Sequence, residues 1–319
     1  MKPQIFATFD DYAAALQHAS FRVTALGPTR SAWLVSYLQL DRLTVQWGQD
    51  GGPIVFEGAL DEPGVLLFTG RDNAHKLIGN GVMFDEDTLM IMPGQAEFCT
   101  VSLDTSAWIS AFIPLDAIGN ASAIGSACRV ITPATADSRR VRSALLRIVN
   151  TAEGGAFESH PMARTAAASE LLQCVRALLG SPTCDDVAHP HGRPAIPRDE
   201  ILRRARQLLV ESDGGAITLE DLASVAEVSE RTLHNAFHEQ FGVSPKRYLR
   251  LHTLNRARSA LRSADARVTR VTDVATKLGI WEWGRFSHDY QTLFGELPSQ
   301  TLRGDHRVNQ NWIAPKMPM

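Results

Sequence analysis

The last third of the chain carries one helix-turn-helix pattern twice, and this repetition constrains the fold more than any other feature. The first copy runs from Leu219 to Phe241 (LEDLASVAEVSERTLHNAFHEQF) and the second from Val271 to Phe294 (VTDVATKLGIWEWGRFSHDYQTLF). Each has a short helical run with a central alanine, a tight turn and a longer helical run. Ala223 and Ala275 stand where two crossing helices need a small side chain. Gly279 follows Ala275 at a turn position that favours positive φ, which glycine adopts at little cost. Helix, turn and helix in this order form a unit whose second helix can enter a DNA major groove. Two such units about fifty residues apart can read successive major-groove faces from one polypeptide.

The periodicity of each second helix separates core from surface. Leu233, Phe237 and Phe241 recur at four-residue spacing in the first unit, and Phe286, Tyr290 and Phe294 repeat that spacing in the second. Ser229 is placed to cap the first of these helices. Arg231, His234, Asn235 and His238 are left facing outward, the first three on the N-terminal turns that reach base edges. Arginine can grip guanine O6 and N7, and asparagine can grip adenine N6 and N7. In the second unit Gly284, Arg285, Ser287 and His288 lie on or near the exposed side. Gly284 is poor helix chemistry but permits close approach to DNA. Trp281 and Trp283 are expected to pack. Around the units, Arg198–Glu211 reads as an amphipathic helix. Ser244–Arg262 reads as a long connecting helix, with Ser244 as N-cap, Pro245 in the first turn and a buried stripe of Tyr248, Leu251, Leu254, Ala257 and Leu261.

The first half reads differently. From about Thr24 to Ile113, short runs rich in Val, Leu, Phe and Trp (AWLVSYLQL, LTVQWG, PIVFEGAL, GVLLFTG) alternate with turn formers. That rhythm predicts an antiparallel barrel or sandwich. The segment GVMFDEDTLMIMPGQAEF is hairpin-like, with Pro93-Gly94 turning between strands, and is similar to the second half of a cupin motif. Two helices follow, Asp137–Thr151 and Met162–Leu179. They fit two roles equally, a dimerisation surface or a cover for the barrel. Residues 182–197 hold four prolines without periodicity and read as a linker, in which His189 and His191 are solvated rather than metal-bound.

These readings divide the chain into a regulatory and dimerisation domain over 1–181, a linker over 182–197 and a DNA-binding domain over 198–304. The fold class is α+β, a cupin-like sensor with flanking helices joined to an all-α domain. A net charge of −3 suits this division, because it splits into about −6 up to Ile196 and about +3 from Pro197 onward. Cys99, Cys128, Cys174 and Cys184 form no CxxC pair and are read as reduced structural thiols. No apolar run is long enough for a membrane span, and the first residues lack a signal-peptide core, so a cytoplasmic location is expected.

The elements FGVSPKRYLR, LNRARSAL, VTDVATKLGI and RFSHDYQTLFGELPSQTLR resemble the AraC/XylS family of bacterial transcription regulators. SERTLHNAF, LGIWEWGRFSHDY and FGELPSQTL look most like its branch containing the ethanolamine-operon regulator. The resemblance implies two helix-turn-helix subdomains joined by a helix and bound to adjacent major grooves. It places the base-reading positions on Arg231, His234 and Asn235, then on Gly284, Arg285 and His288. It also implies a double-stranded DNA partner, contact with RNA polymerase, an unidentified small-molecule effector and activation of transcription; a homodimer is expected from the helices Asp137–Thr151 and Met162–Leu179. Three positions depart from the family pattern. Glu227 stands where a small residue or glycine is usual, which predicts a strained or rebuilt turn. Thr253 replaces an arginine, and Ile280 a phenylalanine. Metal-binding cupins use a histidine pair, a glutamate and a later histidine. Here the barrel region has no HxH, Glu97 stands where the histidine after Pro93-Gly94 would be, and His75 is its only histidine. No metal, other cofactor or catalytic residue is therefore expected. The competing reading is a cupin-type enzyme with an accessory helical domain, and a third is a regulator controlled by a partner protein.

Overall fold

A computed structural model describes residues 2–72, 74–94, 96–119, 124–181, 198–211 and 217–304. The proposed linker, with Cys184, His189 and His191, lies outside the described residues. In chain order the β-rich part comprises β1 (Gln4–Phe6), α1 (Phe9–Ala15), β2 (Ala19–Ala25), β3 (Trp33–Leu40), β4 (Leu43–Asp50), β5 (Ile54–Leu60), β6 (Gly64–Gly70), β7 (Leu77–Gly79), β8 (Val82–Met83), β9 (Leu89–Pro93), β10 (Phe98–Ser102), β11 (Ser106–Pro114), α2 (Leu115–Ile118) and β12 (Arg129–Ile131). These strands form two antiparallel sheets, one ordered β1-β3-β4-β11-β6-β9-β12 and the other β2-β5-β10-β7-β8. The sandwich expected from strand rhythm is therefore present, extended at its front by β1, α1 and β2.

The larger sheet is covered on both faces, which explains why its strands are nearly continuously apolar. Alternate side chains point to opposite faces. Val45, Trp47, Val65, Leu67, Ile109 and Ala111 face a helical layer made by α3 (Ala136–Glu153), α4 (Ala156–Ser159) and α5 (Pro161–Leu179). Their neighbours Leu66, Met90, Met92 and Trp108 belong to the core shared with the smaller sheet. The helix α3 begins at a capping box in which Thr135 Oγ1 accepts from the Ser138 N–H. Its buried stripe of Val141, Leu145, Ile148 and Val149 lies on the sheet, so α3 and α5 act as the sheet's cover.

Two expectations need correction. The segment 81–98 is not a hairpin: β9 pairs with β6 and β12, whereas β10 pairs with β5 and β7 in the other sheet. Pro93-Gly94 thus carries the chain from one sheet to the other. Nor is His75 the sole histidine of this region. His18, just before β2, has its ring stacked on Phe112 at 4.2 Å between centroids. The strand region extends further toward the N-terminus than its rhythm suggests, which brings His18 into it.

The remaining elements are helical: α6 (Arg198–Glu211), α7 (Leu219–Val225), α8 (Glu230–Phe241), α9 (Pro245–Ser263), α10 (Val271–Lys277), α11 (Trp283–Phe294) and α12 (Pro298–Arg303). The long helix α9 starts where expected, with Ser244 as N-cap and Pro245 in its first turn. It serves both units. Tyr248 packs against Phe237 and Phe241, with ring centroids 5.3 and 4.5 Å away. Towards its other end the Arg258 guanidinium lies 4.8 Å from the Phe294 ring centre.

The same helix docks on the sheets. Asn255 offers its amide to the edge strand β2, accepting from the Ala25 N–H at 2.9 Å and donating to the Ala25 C=O at 3.0 Å. That pairing satisfies backbone groups an edge strand would otherwise leave open. Arg258 reaches Asp10 at 2.7 Å and also pairs with Glu296, while Arg262 reaches Asp11 at 2.9 Å. Apolar contact runs without a break from the sheets into the helices.

Candidate nucleic-acid interface

The two units repeat each other in atomic detail. In the first, the Val228 N–H donates to Ala223 C=O at 3.1 Å; in the second, the Ile280 N–H donates to Ala275 C=O at 2.9 Å. The residue before each donor has positive φ, 55° at Glu227 and 71° at Gly279. The turn is therefore built alike in both, and Glu227 adopts a conformation that costs a side-chain-bearing residue energy. Its carboxylate pairs with Arg204 at 2.7 Å. Both longer helices end at left-handed glycines, Gly242 and Gly295, whose N–H groups donate to His238 C=O and Gln291 C=O. A proline-started helix follows each, α9 after the first and α12 after the second.

The capping at the two reading helices differs. Ser229 Oγ accepts from the Thr232 N–H at 3.2 Å, whereas Glu282, at the N-cap of α11, makes no side-chain capping bond. The first-turn N–H groups of α11 thus remain available to an acceptor such as phosphate.

Leu233, Phe237 and Phe241 are buried, as are Phe286 and Tyr290; Phe294 is half-buried. Arg231, His234, Asn235 and His238 are exposed on α8, and Gly284, Arg285 and His288 on α11. Ser287 is half-buried rather than fully outward. His234 and His238 stand 6.3 Å apart between ring centroids, one helical turn from each other. Arg285 pairs with Glu282 at 3.3 Å on the surface. Such an exposed pair is worth at most about 1 kcal/mol, so a nucleic acid can take the guanidinium from it. No ion pair holds Arg231 among the described residues.

The tryptophans contradict the expectation of packing. Trp281 is 73% exposed and Trp283 51%, at the start of α11. Their apolar mass suggested burial, but the helix presents this end outward. Lys246 and Arg247, exposed on the first turn of α9, add two cations that the helix-turn-helix pattern alone does not single out. The signal was legible as the KR pair of SPKRYLR. Thr253, in place of the usual arginine, donates its hydroxyl to Leu249 C=O at 3.0 Å. His252 beside it is buried, and burial, aided by Arg256 and Arg22, pulls its pKa down to about 4.

The surface so assembled offers an arginine on each of two repeated helices, an amide on α8 and uncapped first-turn N–H groups on α11. A family profile described as a helix-turn-helix domain matches residues 222–304. XylDLEGF operon transcriptional activator 1 of Pseudomonas putida is 35% identical over 149 residues, 47% of this chain and 41% of that protein. The chain therefore spans less than half the length of this relative. XylDLEGF operon transcriptional activator 2 of Pseudomonas putida is 36% identical over 107 residues, which are 34% of this chain and 68% of that protein. Among solved structures, a probable AraC family transcriptional regulator from Rhodopseudomonas palustris is 30% identical, covering 33% of this chain and 95% of that one, with a TM-score of 0.30. On the duplicated unit and on the similarity to the two Pseudomonas putida activators, the chain belongs to the AraC/XylS family of transcription regulators.

Proposed function

We propose that this chain is a sequence-specific, DNA-binding transcription regulator that activates its target genes in response to a small molecule. The observation that carries the reading is the repeated, outward-facing helix start, with Arg231, His234 and Asn235 in one copy and Gly284, Arg285 and His288 in the other. His238 and Ser287 flank these readers. Lys246 and Arg247 are placed to meet phosphates. Residues 198–304 form the DNA reader, 1–181 the regulatory and dimerisation part, and 182–197 the linker.

Further parts of the proposal are contact with RNA polymerase, which rests on family membership, a homodimer, which rests on the helices over 137–151 and 162–179, and the branch of the ethanolamine-operon regulator suggested by SERTLHNAF and FGELPSQTL. A cytoplasmic location accords with the DNA target. Among the described residues, no helix is long and apolar enough to cross a membrane. Family membership favours this reading over a cupin-type enzyme.

A footprint of the full-length protein on DNA upstream of its own gene and its neighbours tests the proposal. The expected result is one asymmetric protected block of about two helical turns, or two such blocks in direct repeat. Arg231→Ala and Arg285→Ala should each cost about 1–3 kcal/mol of specific binding and relax preference at one base position. Unchanged operator affinity in both variants would remove these arginines from the interface.

A further inference from the structure

Between the two sheets lies a small cavity of roughly 60 Å³. Phe21, Phe56 and Phe98 line it from the smaller sheet, and Phe68, Met92 and Trp108 from the larger. Its only carboxylate among the described lining residues is Asp50, on β4 and 3% exposed. Three donors converge on that carboxylate. The Tyr12 hydroxyl donates to Oδ1 at 2.8 Å, the Trp108 indole N–H is shared between the Tyr12 hydroxyl at 2.9 Å and the same Asp50 oxygen at 3.2 Å, and the Ser102 hydroxyl donates to Oδ2. All three bonds favour the ionised form. Yet no lysine, arginine or histidine lines the cavity or pairs with Asp50 among the described residues. Burial accordingly pushes its pKa from the ordinary 3.8 up to about 6.

A buried anion held by neutral donors, with no counter-ion, is half of an ion pair. The walls around it suit the other half, because the faces of Trp and Phe attract cations. We propose that this cavity binds a small organic amine with a compact apolar body, its ammonium group paired with Asp50 and its body held among the aromatic side chains. A ligand carrying a carboxylate is disfavoured, since it would bring a second anion beside Asp50 without a cation to offset either.

Occupancy has a physical route to the DNA reader. Tyr12 projects from α1 into the cavity and is fully buried. The neighbouring Asp10 and Asp11 of α1 pair with Arg258 and Arg262 of α9. Phe9, at the start of α1, stacks on Phe294 of α11 at 6.0 Å between centroids. An ammonium group competing for the Asp50 oxygen that Tyr12 holds therefore shifts the helix on which α9 and α11 rest. This consequence for DNA binding rests on the regulator reading; ligand binding itself does not.

The test uses the full-length protein at neutral pH with benzylamine, benzyl alcohol and benzoate, read by calorimetry and thermal shift. Benzylamine should bind and raise Tm, about tenfold or more tightly than benzyl alcohol, and benzoate should leave Tm unchanged. Asp50→Asn should weaken benzylamine by about tenfold or more with the far-ultraviolet circular dichroism spectrum retained. The comparison of the three ligands on the unmodified protein stands even if that variant fails to fold. Benzoate binding as tightly as benzylamine, or no Tm shift with any of the three, overturns the proposal. Operator binding is measured on the same preparation. Protein that binds operator but no amine refutes the cavity assignment alone, and protein that binds amine but no operator refutes the regulator reading alone.

Discussion

Gly284 occupies the first turn of α11, where an added Cβ would meet nothing within 4 Å. The fold does not require glycine there, and helix propensity opposes it by about 1 kcal/mol relative to alanine. Gly284→Ala should therefore leave stability unchanged or raise it by up to about 1 kcal/mol, while weakening operator binding. Denaturant unfolding and a gel-shift titration check the two halves separately. Asp50 and His252 carry opposite pH dependences. Asp50 titrates higher in the folded protein than its ordinary 3.8, so its contribution is present below about 3.8 and is lost as pH rises through about 6. His252 titrates lower than its ordinary 6.5, so its contribution is present above about 6.5 and is lost as pH falls through about 4. Each shift corresponds to roughly 3 kcal/mol, and over this window the two largely cancel. Asp50→Asn should make stability rise from pH 4 to 6.5, and His252→Gln should make it fall, as urea midpoints across that range would show. Parallel slopes in the two variants would contradict the assignment.

At the scale of elements, the two turns share one hydrogen-bond pattern but not one residue type. Glu227 holds the left-handed conformation that Gly279 holds without strain. Glu227→Gly should relieve about 1 kcal/mol of backbone strain and forfeit a solvent-screened surface pair with Arg204. The net expectation is a Tm equal to or a few degrees above that of the unmodified protein. A clear drop in Tm would show that the Arg204 pair holds the turn. The strands β3 to β6 were legible because turn formers bracket each apolar run. The path from β9 to β10 was not, because a proline-glycine turn looks the same whether it closes a hairpin or crosses between sheets. Trp281 and Trp283 misled for a related reason: hydrophobicity argues for burial, but only packing decides which end of a helix is covered.

In the whole molecule, Arg258 ties the two halves together. Its side chain is 3% exposed and lies between Asp10 of α1 and Glu296, which follows α11. Burial disfavours its charge, but the attraction of Asp10, with Glu296, outweighs this and raises its pKa. The Phe9 and Phe294 rings flank the guanidinium at 5.3 and 4.8 Å. Arg258→Ala would remove the buried cation that Asp10 and Glu296 share, leaving Asp10 with the longer contact to Arg262 at 3.6 Å; losing one partner of a buried pair typically costs about 3–5 kcal/mol. Urea unfolding followed by tryptophan fluorescence should show that loss. A change below about 1 kcal/mol would mean that the contact between the halves adds little to stability.

By itself, the sequence determined what depends on near neighbours. Apolar spacing, caps, turn formers and the repeated alanine-turn arrangement are local, so the helices, most strands and the outward residues Arg231, His234, Asn235, Arg285 and His288 could be read from it. Tertiary structure alone decided what depends on distant partners. Arg258 looks like any surface arginine in LNRARSAL until Asp10 and Glu296 close on it. Asp50 looks like a turn residue in GQDGGP until β10, β11 and α1 bring Ser102, Trp108 and Tyr12 to its oxygens. Local geometry follows from a few adjacent side chains. A buried charge is defined by its desolvation and by partners far away in the chain, which come together only when the chain folds.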